Sequence, residues 1–295
     1  MILALDIGGT FIKWAVADGY ELSRQGKVKT PRDTLDSLID AIRKLLSENS
    51  GESITGLAVS YPGMCAPSTG IVLPIGSLEY IKGIPLQREL EEALSLPMVL
   101  ENDGRCAAIA EARLGNLRGV HSGYVLVIGT GVGGSYVRDG EILRGSHGYA
   151  GQISLMLTGE LRTNGLDALL ASQIGMAGLL KRAADALNCP GITGEKFMEL
   201  VEQGNPAAEK VFDDCMNLFS CQLFSLQMLY DPERFLIGGG ISANGRYVGA
   251  LREKYEELYN LYHLNIPRAD ILPCKFRNTS NLMGALALYY DQHPA

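Results

Sequence analysis

The sequence has no apolar run approaching the ~18–20 residues that cross a bilayer, so no membrane-spanning helix is expected. Its opening, Met1-Ile-Leu-Ala-Leu-Asp6, has no basic segment and no small-residue cleavage site, so a signal peptide is not expected and a cytoplasmic location is. Histidine is scarce, at four, and the six cysteines contain no Cys-x-x-Cys pair. That pattern argues against a zinc cluster and reads as reduced, packing cysteines. Basic charge is not in excess: 26 Lys and Arg stand against 33 Asp and Glu, a formal net charge of −7. A nucleic-acid surface needs a basic stripe to neutralise phosphates, so nucleic acid is not an expected partner. No Pro- or Ser-rich linker and no low-complexity tract interrupts the chain. A nucleotide is not excluded, because backbone amides in glycine loops bind phosphate even in an acidic protein.

Glycine is what the chain has in plenty: 35 in 295 residues, against an average near ~7%. The glycines fall at the ends of apolar runs. Residues 2–5, 11–17 and 21–28 read as strands with a turn at Asp18-Gly19. The spacing of Leu35, Leu38, Ile39, Ile42, Leu45 and Leu46 predicts a helix over 31–49, capped by Asp33 or Thr34. A strand at 54–59, a helix at 86–94, a strand at 98–100 and a helix at 104–114 follow. The pattern then restarts: strand 124–128, glycine loop, returning strand, Asp139-Gly140 turn. A duplicated α/β fold is the economical reading, with a boundary within 115–123. Helices at 166–187, 194–203, 206–230, 251–262 and 282–290 and a strand at 235–237 complete it.

Four motifs carry chemistry. In Asp6-Ile-Gly8-Gly9-Thr10, the paired glycines let backbone amides approach a phosphate, Thr10 adds a hydroxyl, and Lys13 adds charge. Asp6 can hold a water of a Mg²⁺ ion. The other reading is a tight hairpin with a surface aspartate. Gly129-Thr130-Gly131-Val-Gly133-Gly134 is not a Walker loop, and a strand rather than a helix follows it, so it is not a dinucleotide fingerprint. Two such loops at equivalent points of a duplicated fold can face one ligand. Gly238-Gly239-Gly240 at a strand end admits a base or a phosphate, or is a structural turn. Asn102-Asp103 is either a helix cap or places a carboxylate where α/β sheets keep their ligands.

These motifs, with Leu100-Glu-Asn-Asp103 and residues 145–152, stand in the order found in the ROK family, which the chain resembles over nearly its whole length. The resemblance implies a duplicated actin-like (ribonuclease H-like) fold of two lobes around a cleft. It implies a lobe at 1–117, with a C-terminal helix at about 281–295 packing back on it, and a larger lobe at 118–280. It implies transfer of the ATP γ-phosphoryl group to a sugar hydroxyl, usually O6, with Mg²⁺, in a homodimer. Asp103 is then the catalytic base, and Ser60, Pro62, Gly63, Asn102, His147 and Gln152 belong to the sugar side. Asp6, Gly8, Gly9, Thr10 and Lys13 belong to the first phosphate loop, Gly129 to Gly134 to the second, and Gly238 to Gly240 to the adenosine side.

Two departures from the family pattern stand out. Many members read Gly-Glu-Ile-Gly-His followed by a cysteine-rich zinc loop. Here the text is Gly151-Gln152-Ile-Ser-Leu155-Met, with no cysteine between Cys106 and Cys189, so no zinc site is expected. Gln152 stands for a carboxylate and can both donate and accept. A non-catalytic sugar sensor of the same family is the alternative.

Overall fold

The computed structural model describes residues 1–76 and 78–294. The chain forms two compact units: Met1–Arg118, Gly140–Ala150 and Asn278–Ala295 make the first, and Gly119–Asp139 with Gly151–Arg277 the second.

The first unit opens with a hairpin of β1 (Ile2–Ile7) and β2 (Phe11–Asp18), continued by β3 (Glu21–Lys29). Helix α1 (Leu35–Glu48) leads to β4 (Gly56–Tyr61), a small hairpin of β5 (Gly63–Cys65) and β6 (Val72–Gly76), helix α2 (Leu86–Leu94), β7 (Met98–Asn102) and helix α3 (Asp103–Leu114). The sheet order is β3-β2-β1-β4-β7, with β1, β4 and β7 mutually parallel. Every residue of β1 and β4 is buried, as parallel strands covered on both faces require. The sequence reading starts α1 at residue 31. The helix begins at Leu35 because Thr34 caps it, its hydroxyl accepting from Ser37 N at 3.2 Å.

The second unit repeats the design. Strands β8 (Ser122–Ile128) and β9 (Val132–Arg138) form an antiparallel pair, and β11 (Arg234–Gly238) and β12 (Asp270–Pro273) add parallel to β8, giving the order β9-β8-β11-β12. The turn after β9 has positive φ at both Asp139 and Gly140, the mirror-image geometry that suits a right-twisted hairpin. The two-residue β10 (Glu141–Ile142) follows. Short helices α4 (Leu161–Asn164) and α5 (Leu170–Ile174) precede α6 (Met176–Leu187), α7 (Gly194–Glu202), α8 (Pro206–Tyr230) and α9 (Gly245–Leu261). Phe197, Phe219, Leu223, Phe235, Tyr247, Leu251 and Tyr255 fill the core between helices and sheet. Among the described residues no helix is long and apolar enough to cross a membrane.

Three differences from the sequence reading have physical causes. The single helix expected over 166–187 is broken at Gly175, whose backbone is extended (φ −64°, ψ 151°). A Cβ there would lie 2.4 Å from the Ala171 carbonyl oxygen. The break frees the first amides of α6, and Met176 N and Ala177 N donate to the carbonyls of Gly129 (2.9 Å) and Thr130 (3.0 Å). Helix α9 starts at Gly245 rather than 251, capped by Asn244, whose Oδ1 accepts from Arg246 N and Tyr247 N. The segment 140–150, read as part of the larger lobe, belongs to the first unit. Arg113 of α3 holds its start, through the Gly140 carbonyl and Glu141 (2.7 Å), while also pairing with Asp291 at 2.9 Å.

Asp291 lies on α10 (Ser280–Gln292), which falls in the first unit and packs on α3; Ala295 lies outside the described residues. At that crossing Gly284 approaches the backbone of Cys106 so closely that a Cβ would stand 1.7 Å from its carbonyl oxygen. Gly284→Ala must therefore push the two helices apart. A loss of at least ~1–3 kcal/mol is expected, read from the denaturant midpoint; an unchanged midpoint would contradict this packing.

Candidate active site

In-register parallel pairing aligns Asp6 with Ser60 and Ser60 with Glu101, so three neighbouring strands end on one edge of the first sheet. This carboxyl edge is where open α/β sheets present ligand-binding groups. Asp6 is buried there. Its Oδ1 accepts from Ser60 Oγ (3.0 Å) and from Asn281 Nδ2 (3.0 Å), and Lys13 Nζ stands 3.4 Å from Oδ2. Ser60, fully buried, thus orients Asp6. The hairpin after Asp6 is closed by Gly8 N donating to the Phe11 carbonyl (3.0 Å), and Thr30 Oγ1 donates to the Gly8 carbonyl (2.7 Å). Gly9 is half-buried, and Thr10 and Lys13 are exposed beside it.

At the end of β7 the chain turns directly into α3. Asn102 is the N-cap, its Oδ1 accepting from Arg105 N at 3.2 Å. Its amide donates to the Gly63 carbonyl (2.9 Å) and to Asp103 Oδ1 (3.0 Å). The cap and the candidate ligand site therefore use the same residue. Gly63 has no room for a side chain, since a Cβ would meet the Tyr61 ring at 2.6 Å. Half-buried Pro62 presents its carbonyl to Gly76.

Asp103 Oδ1 also accepts from Gly104 N at 2.7 Å, and among the described residues no donor reaches Oδ2. Burial pushes the Asp103 carboxyl up from 3.8 to about 6, and the nearby charge of Asp6 adds to the rise; the two hydrogen bonds at Oδ1 oppose it. The result is a carboxylate with one open oxygen and a basicity suited to taking a proton near neutrality.

The glycines of the second unit divide into two kinds. Gly134 and Gly239 have positive φ and abut backbone carbonyls at 2.0 Å from where a Cβ would be; Gly238 packs on Cys274. These are needed for folding. Around Gly129 and Gly240 nothing lies within 4 Å of a Cβ, and Gly131 has only Ala171 at 3.8 Å. Gly129, Gly131 and Gly240 therefore leave open space beside the backbone, room through which a phosphate could approach; Thr130 is exposed and Gly133 half-buried. Gln152 is also in the second unit, where its Nε2 donates to Ser154 Oγ at 2.7 Å. His147, exposed, lies in the first-unit segment 140–150. Among the described residues no group of three His, Cys, Asp or Glu could hold a metal ion by itself. A Mg²⁺ brought by phosphate oxygens needs only one or two carboxylates, and Asp6 Oδ2, whose partner among the described residues is the long Lys13 contact at 3.4 Å, is the carboxylate oxygen such an ion would use.

Sequence reasoning missed Glu101, Arg105, Arg144 and Asn281. Glu101 and Arg105 are both buried charges, 3.7 Å apart. Their signal is a Glu and an Arg four residues apart on either side of Asn-Asp-Gly, where strand β7 passes into helix α3. Asn281 is 275 residues from Asp6, and nothing local could have found it.

The sequence profile of the ROK family matches residues 2–292. The chain is 28% identical over 294 residues to a β-glucoside kinase of Listeria monocytogenes, covering 97% of this chain and 96% of that one. Among solved structures it resembles a ROK family protein from Streptococcus pneumoniae in complex with sucrose, with a TM-score of 0.87, 25% identity, and 99% and 98% of the two chains covered. A ROK hexokinase from Thermus thermophilus gives a TM-score of 0.82 at 27% identity, with 100% and 99% covered.

Because Asp103 binds its proton more tightly when folded, its ionisation opposes folding. The penalty is absent below pH 3.8, grows as pH rises, and is complete above about 6. Asp103→Asn keeps an acceptor for Gly104 N and removes the charge. The variant is expected to melt above the wild type at pH 7.5, with the gap closing toward pH 4. A gap independent of pH would remove the charge from the explanation.

Proposed function

The chain belongs to the ROK family, and we propose that it is an ATP-dependent carbohydrate kinase acting on a hexose or hexoside, at O6. The single observation that carries this reading is Asp103: a carboxylate with an open Oδ2 and a raised pKa, beside Asp6 on the carboxyl edge of the sheet. The names of the β-glucoside kinase and hexokinase relatives support it. A non-catalytic sensor would have no use for such a base.

Each candidate group has a task within its own unit. Asp103 Oδ2 accepts the proton of the acceptor hydroxyl as its oxygen attacks the γ-phosphorus; the bond from that phosphorus to the β-γ bridging oxygen breaks, leaving ADP. Asn102 holds Asp103 Oδ1 and keeps one Oδ1 lone pair for a sugar hydroxyl. Asp6 would hold Mg²⁺ through water, with Ser60 and Asn281 fixing its orientation; the ion would neutralise phosphate charge. Gly131 and Gly240 would bind the nucleotide through backbone amides, while Gly129, whose amide donates to the Gly131 carbonyl at 3.0 Å, would leave the approach open by lacking a side chain. A cytoplasmic homodimer belongs to the same reading; exposed Met228, Leu229, Leu261 and Tyr262 supply apolar surface for a contact, and light scattering tests it.

Gln152 directs the choice of sugar. Its Nε2 already donates to Ser154, leaving one N–H and the carbonyl oxygen for a ligand. An N–H can satisfy a glycosidic or N-acetyl oxygen, which a glutamate cannot. The substituted sugars named for two relatives, a β-glucoside and sucrose, support that preference.

Three measurements test the reading. ADP release across a panel of sugars should reveal one acceptor at least, and Asp103→Asn should lower its turnover ~10²–10⁴-fold; a rate within twofold of wild type would remove Asp103 as base. Gly129→Ala should leave the melting temperature unchanged, because its Cβ meets nothing, and raise the KM for ATP; an unchanged KM would separate this loop from the nucleotide. Gln152→Glu should shift kcat/KM toward free glucose by ~10-fold or more, the effect of one unpaired buried polar group; an unmoved ratio would exclude this residue from selectivity.

A further inference from the structure

A second layer of charge lies beneath the Asn102–Asp103 turn. Arg105 is 3% exposed and Glu101 6%. Arg105 Nη2 donates to the Gly148 carbonyl at 2.7 Å, and its Nη1 stands 3.7 Å from Glu101 Oε1. That same Oε1 accepts from the backbone N of Asn102 at 2.8 Å, while Oε2 pairs with Arg144 Nη1 at 2.5 Å. Ala150 N donates to the Arg144 carbonyl (3.2 Å), closing the segment on itself. Gly148 has φ +78°, and a Cβ on it would lie 2.9 Å from the Cys65 carbonyl oxygen. Only a glycine can present its carbonyl to Arg105 at that spot.

Arg105 therefore does two jobs at one position. Its backbone N–H completes the cap on Asn102, and its side chain grips the segment 144–150. Burying two charges is expensive, and apolar residues of similar size would serve stability as well or better. What an apolar pair cannot do is fix a backbone carbonyl and an amide at defined distances. His147, exposed, stands one residue before the gripped carbonyl, so the grip determines where its side chain can reach.

We propose that Arg105, with Glu101 as its counter-charge, is a positioning residue that couples the segment 144–150 to the Asn102–Asp103 turn and thereby sets the affinity for the acceptor sugar. The proposal rests on the kinase reading above for the identity of the ligand. Its scaffold of contacts stands independently of that reading.

The test uses the full chain carrying Arg105→Lys, which keeps a positive charge beside Glu101 but offers a single nitrogen where two were used. The acceptor KM should rise about ten- to a hundredfold, the scale on which ångström-sized misplacement acts, while the KM for ATP stays within twofold. Hydrogen exchange of the amides in 144–150 should speed up in the variant, and added sugar should protect them in the wild type and fail to do so in the variant. A merely structural role would lower stability and move both KM values together, which would overturn the proposal, as would an acceptor KM within twofold of wild type. Should Arg105→Lys fail to fold, Arg144→Gln replaces it. That side chain is 44% exposed, and its loss should raise the acceptor KM by a smaller factor in the same direction; no change overturns the proposal. If the wild type phosphorylates no sugar, the kinase reading fails by itself. The exchange of 144–150 in Arg105→Lys then decides the coupling alone, an unchanged rate overturning it.

Discussion

The parallel register of β1, β4 and β7 is the constraint from which the first unit's chemistry follows. It places Asp6, Ser60 and the Glu101–Asn102 pair side by side at the ends of three strands. The strands can hold that register because they are apolar on both faces: Leu3, Leu5, Leu57 and Val59 are wholly buried. A slip by one residue would turn every one of them over and carry Asp6 away from Ser60. The stability of the core and the position of the carboxylates are thus one property.

The second unit solves a different problem with the same strand order. Its strand ends are glycine-rich and leave backbone, rather than carboxylates, at the edge. The loop after β8 is held from behind, where the freed amides of α6 take the carbonyls of Gly129 and Thr130. With those carbonyls bound, the loop is held in shape while the space where Gly129 would carry a Cβ stays open. Gly239 and Gly134 make this possible by letting neighbouring backbone pass within reach of a missing side chain.

Around the Asn102–Asp103 turn the molecule carries several locally unfavourable features together. Asp103 is harder to ionise than in water, and Glu101 and Arg105 are charges under the surface. Each is tolerated because the surrounding contacts over-determine it: the helix cap, the Gly63 carbonyl, the Arg113 and Asp291 pairing and the α3–α10 crossing. Concentration of buried charge in one place marks a candidate site for chemistry.

Local patterns in the sequence determined most of the elements. The i, i+3, i+4 rows of leucine and isoleucine marked α1, and alternation of apolar runs with glycine marked the two hairpins, because periodicity and turn chemistry act over a few residues. Asp6, Asn102 and Asp103 were legible for the same reason, each closing an apolar run. Where neighbours in space are remote in sequence, local pattern carries no signal. The break at Gly175, the return of 140–150 to the first unit, the Asn281 contact to Asp6 and the Glu101–Arg105–Gly148 grip all depend on which carbonyl lies opposite which donor. Pattern sets which residues want to be buried and which can turn. Only the packed chain decides which buried charge meets which partner, because a hydrogen bond is specific to a fraction of an ångström, and no local rule in the chain encodes that distance.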